Sequence, residues 1–241
     1  MFTKSRQYNT VFGTILVIVI IAVVVLTVSN IATTISVNKF NFNECKQVVI
    51  DPGHGGFDPG AIGVNKALEK DINLAIGLQL RDILIANGYD VIMTRTNDTA
   101  INENKISGVK SSKTSDLKNR LKIIENHPKA IALSIHQNEY VAESSSGAQM
   151  FYGRKNEASK SLAESIQNSF VNNLQPNNKR VVKRSTSDVY IVHNSKTPIV
   201  LVECGFLSNW NDAKLLTNEE YQKKVAFTIY CGIAKAKYME D

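Results

Sequence analysis

The chain has 241 residues, 43% of them hydrophobic, and a formal net charge of +6 at pH 7. That length accommodates one substantial domain plus an appendage, and no internal repeat or low-complexity block interrupts it. The basic excess gives no nucleic-acid signal, because no basic run carries interleaved aromatics. Lys4, Arg6 and Lys39 with no acid among residues 1–39 leave the remainder at +3. Cys45, Cys204 and Cys231 are too few and too scattered for a disulfide framework, and no Cys-x-x-Cys knuckle is present.

Residues 1–10 read as a short cytoplasmic N-terminus, oriented by Lys4 and Arg6. Residues 11–31 read as a transmembrane anchor or signal segment. Val11 to Val28 carries no charge, and at ~1.5 Å per residue it reaches ~27 Å, close to the hydrocarbon thickness of a bilayer. The run exceeds a typical signal-peptide core, and Val28-Ser29-Asn30-Ile31-Ala32 is a poor cleavage site, so an uncleaved anchor is favoured over a cleaved signal. In either case the rest of the chain is exported. Residues 32–45, rich in Asn, Thr and Ser, read as a linker.

From Lys46 to the end, short apolar strands alternate with amphipathic helices. Strands are predicted at Gln47–Ile50, Asp90–Thr94, Ala130–His136, Ala148–Tyr152 and Ile199–Cys204, with a short one at Val189–Val192. Helices are predicted over Glu69–Asn87 with Gly88 as the stop, over Ser115–Asn126 with Ser115 as cap, and over Ala158–Leu174. A last helix carries the stripe Tyr221, Val225, Ile229 and Ile233. The second helix offers Leu117, Leu121 and Ile124 as its apolar stripe. This order predicts a single α/β domain over residues 46–241. Its sheet should be twisted and largely parallel, with helices on both faces and a transmembrane helix ahead of it. In such folds, ligands gather at the carboxyl ends of the strands.

Four residues fall at those ends. His54 stands in Asp51-Pro52-Gly53-His54-Gly55-Gly56-Phe57-Asp58-Pro59-Gly60, directly after the first strand. Glu69 opens a helix, while His136 and Glu203 close two further strands. A hydrolytic zinc takes three nitrogen or oxygen ligands and keeps a fourth position for water, whose pKa falls to ~7. His54, Glu69 and His136 supply such a set, and Glu203 is left to move a proton. Each alone has a plainer explanation: a turn histidine, a first-turn helix acid, a half-buried histidine. Glu203 has less room for one, since a carboxylate ending Ile199-Val200-Leu201-Val202 is costly to desolvate without a partner. Asp51 and Asp58 can orient ligands, Arg95 and Asp98 are expected to pair, and His127 and His193 are expected to be solvated, with a place lining a cleft as the alternative for His193. The glycine loop is no dinucleotide fingerprint, because Asp58 stands where its last glycine belongs, and no nucleophile elbow or phosphate-binding loop occurs.

At these residues the chain resembles the zinc-dependent N-acetylmuramoyl-L-alanine amidases of bacterial cell-wall metabolism. The likeness is carried by Val49–Gly56 with Asp58, Gly60, Ala61 and Gly63, by Glu69–Leu74, by Ser134–Asn138, and by Val202–Asn209. Thr94-Arg95 with Asp98, Leu117 with Arg120, and Gly147–Tyr152 follow in the expected order; Gln137 and Glu139 depart from the small residues common there. The resemblance implies that His54, Glu69 and His136 bind one Zn2+ per catalytic domain and that Glu203 is the catalytic acid/base. It implies hydrolysis of the amide between the lactyl group of muramic acid and L-alanine of the peptidoglycan stem peptide. A single catalytic domain behind a hydrophobic segment is similar to the germination-specific amidases of spore formers, which act on cortex peptidoglycan so that muramic-δ-lactam can form. Expected partners are the peptidoglycan substrate, the membrane through the N-terminal helix, and an accessory protein for targeting or metal loading, but no nucleic acid. The expected location is the extracytoplasmic face, in the cell wall or the forespore-cortex space. The rival readings are a zinc peptidase cutting within the stem peptide and a non-catalytic wall-binding protein.

Overall fold

The structure, a computed structural model, describes residues 16–24, 40–42, 44–101 and 109–236. The chain divides into two compact units, Met1–Phe40 and Asn41–Asp241. In the first, residues 16–24 are helical. No helix among the described residues is long and apolar enough to cross a membrane. The rest of the expected 11–31 anchor, and most of the 32–45 linker, lie outside the described residues. The second unit begins with Phe42 and Cys45 already buried.

Its elements in chain order are β1 (Gln47–Pro52), α1 (Glu69–Ala86), β2 (Asp90–Met93), α2 (Val109–Glu125), β3 (Ile131–Asn138) and β4 (Gln149–Tyr152). They continue with α3 (Ala158–Asn173), β5 (Lys183–Arg184), α4 (Tyr190–Asn194), β6 (Ile199–Phe206), α5 (Trp210–Leu216) and α6 (Glu219–Ala236). The six strands form one sheet in the order β2-β1-β3-β6-β4-β5. β2, β1, β3 and β6 run parallel. β4 lies antiparallel to β6, and β5 is parallel to β4. The sheet is therefore mixed. The reason lies in the connection: residues 139–148 join β3 to β4 without a crossover helix, so the chain can only return in the opposite sense.

β1, β3 and β6 read as nearly unbroken aliphatic runs because both of their faces are covered. Alternation sends Val49, Ala132, Ile199 and Leu201 to one face, where they pack with Ile124 of α2 and with Ile191 and Val192 of α4. On the other face α6 packs against both α1 and α3. There Gly77 of α1 lies so close to β1 that a Cβ would stand 2.9 Å from Pro52 Cγ. All three cysteines are free thiols, with Cys45 and Cys204 buried.

Two local expectations are corrected. Val189–Val192 is not a strand: Tyr190–Asn194 is a short helix, closed by His193 N–H to Val189 O at 2.9 Å and Ser195 N–H to Ile191 O at 2.9 Å. Helical turns bury Ile191 and Val192 against the sheet face instead. The helix expected from Ser115 begins at Val109, placing Ser115 in its interior. Its buried stripe is Ser112, Asp116, Arg120 and Ile124, while Leu117 is exposed. A largely polar stripe is buried because what it meets is charged.

Candidate metal centre

The centre is assembled at the carboxyl ends of β1, β3 and β6. After Pro52 the backbone turns through His54 at φ 61°, Gly55 at 134° and Gly56 at 57°. A non-glycine residue in the left-handed region costs of order 1 kcal/mol and persists only where its surroundings hold it. Two arginines do so. Arg120, 1% exposed, donates to Pro52 O at 2.8 Å and to His54 O at 2.5 Å. Arg95, 4% exposed, donates to Pro52 O at 2.8 Å and Gly53 O at 2.9 Å. The charge of Arg120 is balanced by fully buried Asp51 at 2.7 Å and by Asp116 one turn earlier on α2. Asp51 also accepts from Thr94 at 2.7 Å and Ser134 at 2.9 Å. Burial pushes the Asp51 carboxyl up, but the Arg120 charge and these donors outweigh it and hold the group below its ordinary range.

The expected Arg95–Asp98 pair is not formed, since Arg95 spends its donors on backbone carbonyls. Asp98 instead takes Lys70 at 2.6 Å and the N–H of Gly56 at 2.7 Å. That clamps the glycine loop from its exposed side.

Glu69 is tied to the same loop. No side chain caps α1; the N–H groups of Glu69 and Lys70 donate to Ala61 O and Pro59 O. Glu69 in turn accepts the Ala61 N–H at Oε2, 2.8 Å away. Its Oε1 accepts from the Gln137 N–H at 3.1 Å and from Asn73 Nδ2 at 3.2 Å, one turn along the helix. Gln137, which departs from the pattern expected beside His136, supports this arrangement by donating to Asn73 Oδ1 at 3.1 Å.

The three expected ligands converge: one donor atom of each of His54, Glu69 and His136 lies within 4.8 Å of the others. His54 Nε2 is 3.2 Å from Glu69 Oε2, and His136 Nδ1 is 2.9 Å from Glu69 Oε1. The imidazole rings meet edge to face with centroids 4.9 Å apart. Asp58 holds His54 Nδ1 at 2.9 Å, which turns Nε2 inward, and Lys113 balances Asp58 at 2.8 Å. The cradle admits no added side chains. A Cβ on Gly53 would stand 2.1 Å from His136 Nε2, and one on Gly60 would stand 2.4 Å from Glu69 Oε2. Two imidazole nitrogens and a carboxylate oxygen match the donor set of a catalytic zinc.

The charges answer to the same geometry. Burial by itself pulls the His54 imidazole down, but hydrogen bonds to Asp58 and Glu69 overcome it and lift the group to about 9. Burial pushes Glu69 up, yet the two histidines hold it far below the carboxylate range.

Glu203 stands opposite His136 in the β3–β6 register. The residue as a whole is partly exposed, while its Oε2 is buried and has no hydrogen-bond partner. Desolvation first and the Glu69 charge second push its carboxyl up to about 8, against a smaller opposing effect of His54. It is the group of this centre left without a protein partner, and it is the right kind of group to give and take a proton. Reading along the chain misses Asn73 and the carbonyl-holding role of Arg95, because their partners lie on other elements. The best available signal was an asparagine one turn after Glu69 on the same helix face.

This arrangement has the make-up of a hydrolase site: three convergent donor atoms that could hold one metal ion, beside an unpartnered carboxylate, at the carboxyl ends of the strands of an α/β sheet. A family profile described as N-acetylmuramoyl-L-alanine amidase matches residues 48–235, and the chain belongs to that family. It is 40% identical over 190 residues to the germination-specific N-acetylmuramoyl-L-alanine amidase of Bacillus subtilis, covering 79% of each chain. It is 35% identical over 187 residues to the B. subtilis amidase LytC, covering 77% of this chain and 34% of that one. Among solved structures, the CwlD amidase from Clostridioides difficile, in complex with the GerS lipoprotein, superposes with a TM-score of 0.77 at 40% identity. That match covers 81% of this chain and all of the other. AmiC2 of Nostoc punctiforme gives 0.67 at 31% identity, covering 81% and 97%.

Proposed function

We propose that this amidase hydrolyses the lactyl–L-alanine amide of peptidoglycan with one zinc ion held by His54, Glu69 and His136, and with Glu203 as acid/base. The observation that carries it is the convergence of those three donor atoms opposite a carboxylate whose Oε2 is buried without a partner. Zinc, when bound, supplies Lewis acidity: it polarises the amide carbonyl and lowers the pKa of water. Asp58 and the Gln137 N–H orient His54 and Glu69 toward the ion. Glu203 accepts a proton from the attacking water and returns it to the alanine nitrogen as the C–N bond breaks.

The finer assignments extend the same reading. The order of residues supports a cytoplasmic 1–10, an anchor at 11–31, a linker at 32–45 and a catalytic domain at 46–241, on the extracytoplasmic face. Similarity to a germination-specific amidase supports spore-cortex peptidoglycan as substrate. The GerS lipoprotein in the complex of the C. difficile relative supports an accessory lipoprotein partner here.

Digestion of purified peptidoglycan with and without a chelator, with products identified by mass, tests the reaction. Free peptides beginning with alanine, intact glycan and loss of turnover on chelation are expected. Alanine left on muramic acid would mean a peptidase instead. Residual turnover by Glu203→Gln equal to wild type would overturn the acid/base role.

A further inference from the structure

A second constellation begins one strand away from Glu203. Gln149 opens β4 with its Cα opposite that of Glu203, so the two side chains share a face of the sheet. Gln149 is 4% exposed, and both ends of its amide are engaged. Its Nε2 donates to Val181 O at 2.9 Å, and its Oε1 accepts from Arg180 Nη1 at 3.2 Å. Arg180 Nε donates to Ser146 O at 2.8 Å, and the guanidinium centre lies 4.4 Å above the Phe206 ring. The planar group is thus fixed on three sides.

What it lacks is an acid. The two buried arginines of the metal centre are spent on protein groups: Arg120 on Asp51, Asp116 and backbone carbonyls, and Arg95 on carbonyls alone. Among the described residues Arg180 has no carboxylate partner, and its Nη2 makes no hydrogen bond. It lines an open cavity of about 730 Å³ together with Ser146, Lys179 and Tyr221. Asp212 also reaches that cavity, but its Oδ2 is taken by the N–H groups of Gly147 and Phe206, at 2.8 and 2.9 Å. A stacked guanidinium with a free edge is the geometry that reads a carboxylate.

We propose that Arg180 is a substrate-binding residue that holds a carboxylate of the departing stem peptide, and that the adjoining cavity receives that peptide. This rests on the amidase reading above. Glu203 protonates the alanine nitrogen, so the peptide leaves on the Glu203 side, and β4, whose Gln149 is hydrogen-bonded to Arg180, lies next along the sheet from β6. The residue after alanine carries the first free carboxyl group of the stem, where it is not amidated. Gln149 acts as a positioning residue: it orients Arg180 from the strand that flanks the catalytic acid/base.

The test uses zinc-loaded full chain and two defined muramyl peptides that differ only in whether the second peptide residue carries a carboxylate or a carboxamide. Wild type is expected to favour the carboxylate by roughly tenfold in kcat/KM, expressed in KM, because the carboxamide cannot form the charge-assisted hydrogen bonds. In Arg180→Met the ratio should collapse toward one, and Arg180→Lys should restore part of it. Thermal unfolding and zinc content of each variant identify any that fail to fold. A second arm measures calorimetric binding of the free acidic dipeptide to Glu203→Gln protein with and without Arg180→Met. It decides the matter even if no amide is cleaved. Weaker binding on loss of Arg180 supports the site. Equal binding, or a wild type indifferent to the carboxylate, overturns it. Failure to release peptide from either substrate, with dipeptide binding intact, would strike the amidase reading and not this one.

Discussion

The two halves of the centre are built on opposite terms. On the β1–α1 side nearly every polar atom is spoken for: Glu69 alone accepts from two backbone N–H groups, Asn73 and both histidines. On the β6 side Glu203 has a buried oxygen with no partner and a carboxyl pushed up to about 8. The saturated half is held in place by its own hydrogen bonds, as a metal cradle requires. The unsatisfied half leaves a carboxyl oxygen open to a group that the fold does not supply, and it does so at a cost in stability. The contrast teaches that order and reactivity are separated across two strands of one sheet.

Breaking the reactive half should have the largest effect on rate. Glu203→Gln is expected to lower turnover by about 10²–10⁴-fold with zinc stoichiometry unchanged, read by peptide release and metal analysis. Breaking the scaffold beneath the rigid half should have the largest effect on stability. Arg120→Met leaves Asp51 charged, buried and uncompensated, so a loss of about 3–5 kcal/mol is expected in urea unfolding. Asp58→Asn, which loosens one ligand without removing it, should weaken zinc binding by roughly 10–100-fold while the fold persists. Competition with a chelating dye measures that.

The smallest effect concerns pH and sharpens the contrast. The Glu203 carboxyl rises from an ordinary 4.5 to about 8 in the metal-free fold. Between those values the unfolded chain has released the proton while the folded chain retains it, so wild-type stability falls as pH rises through that window. Glu203→Gln lacks this slope. The variant should gain on wild type in thermal unfolding from pH 5 to pH 8 in metal-free protein. A gain in the opposite direction would mean that Glu203 is not desolvated.

Much of this was legible along the chain. The apolar runs announced β1, β3 and β6, and the coincidence at their ends of polar residues of metal-binding type, each with a plainer explanation alone, pointed to a centre. Less legible was α2. Its sequence offers Leu117, Leu121 and Ile124 as a stripe, yet the buried stripe carries Asp116 and Arg120, because Asp51, 69 residues before Arg120, waits beneath it. Likewise Val189–Val192 has strand-forming residues, yet Ile191 and Val192 are buried from a helical turn against the sheet face. The direction of β4 could have been drawn from the missing helix between residues 138 and 149, since a crossover needs one.

By itself the sequence determined the alternation of elements and offered the candidate residues of the centre and the kind of reaction they suit, because periodicity and side-chain chemistry are local properties. Only the tertiary structure decided which charges are paired, which carboxyl is left unsatisfied, and which cavity-lining arginine keeps a free guanidinium edge. Those are consequences of desolvation and of contacts between residues far apart in the chain, and no window of sequence contains them.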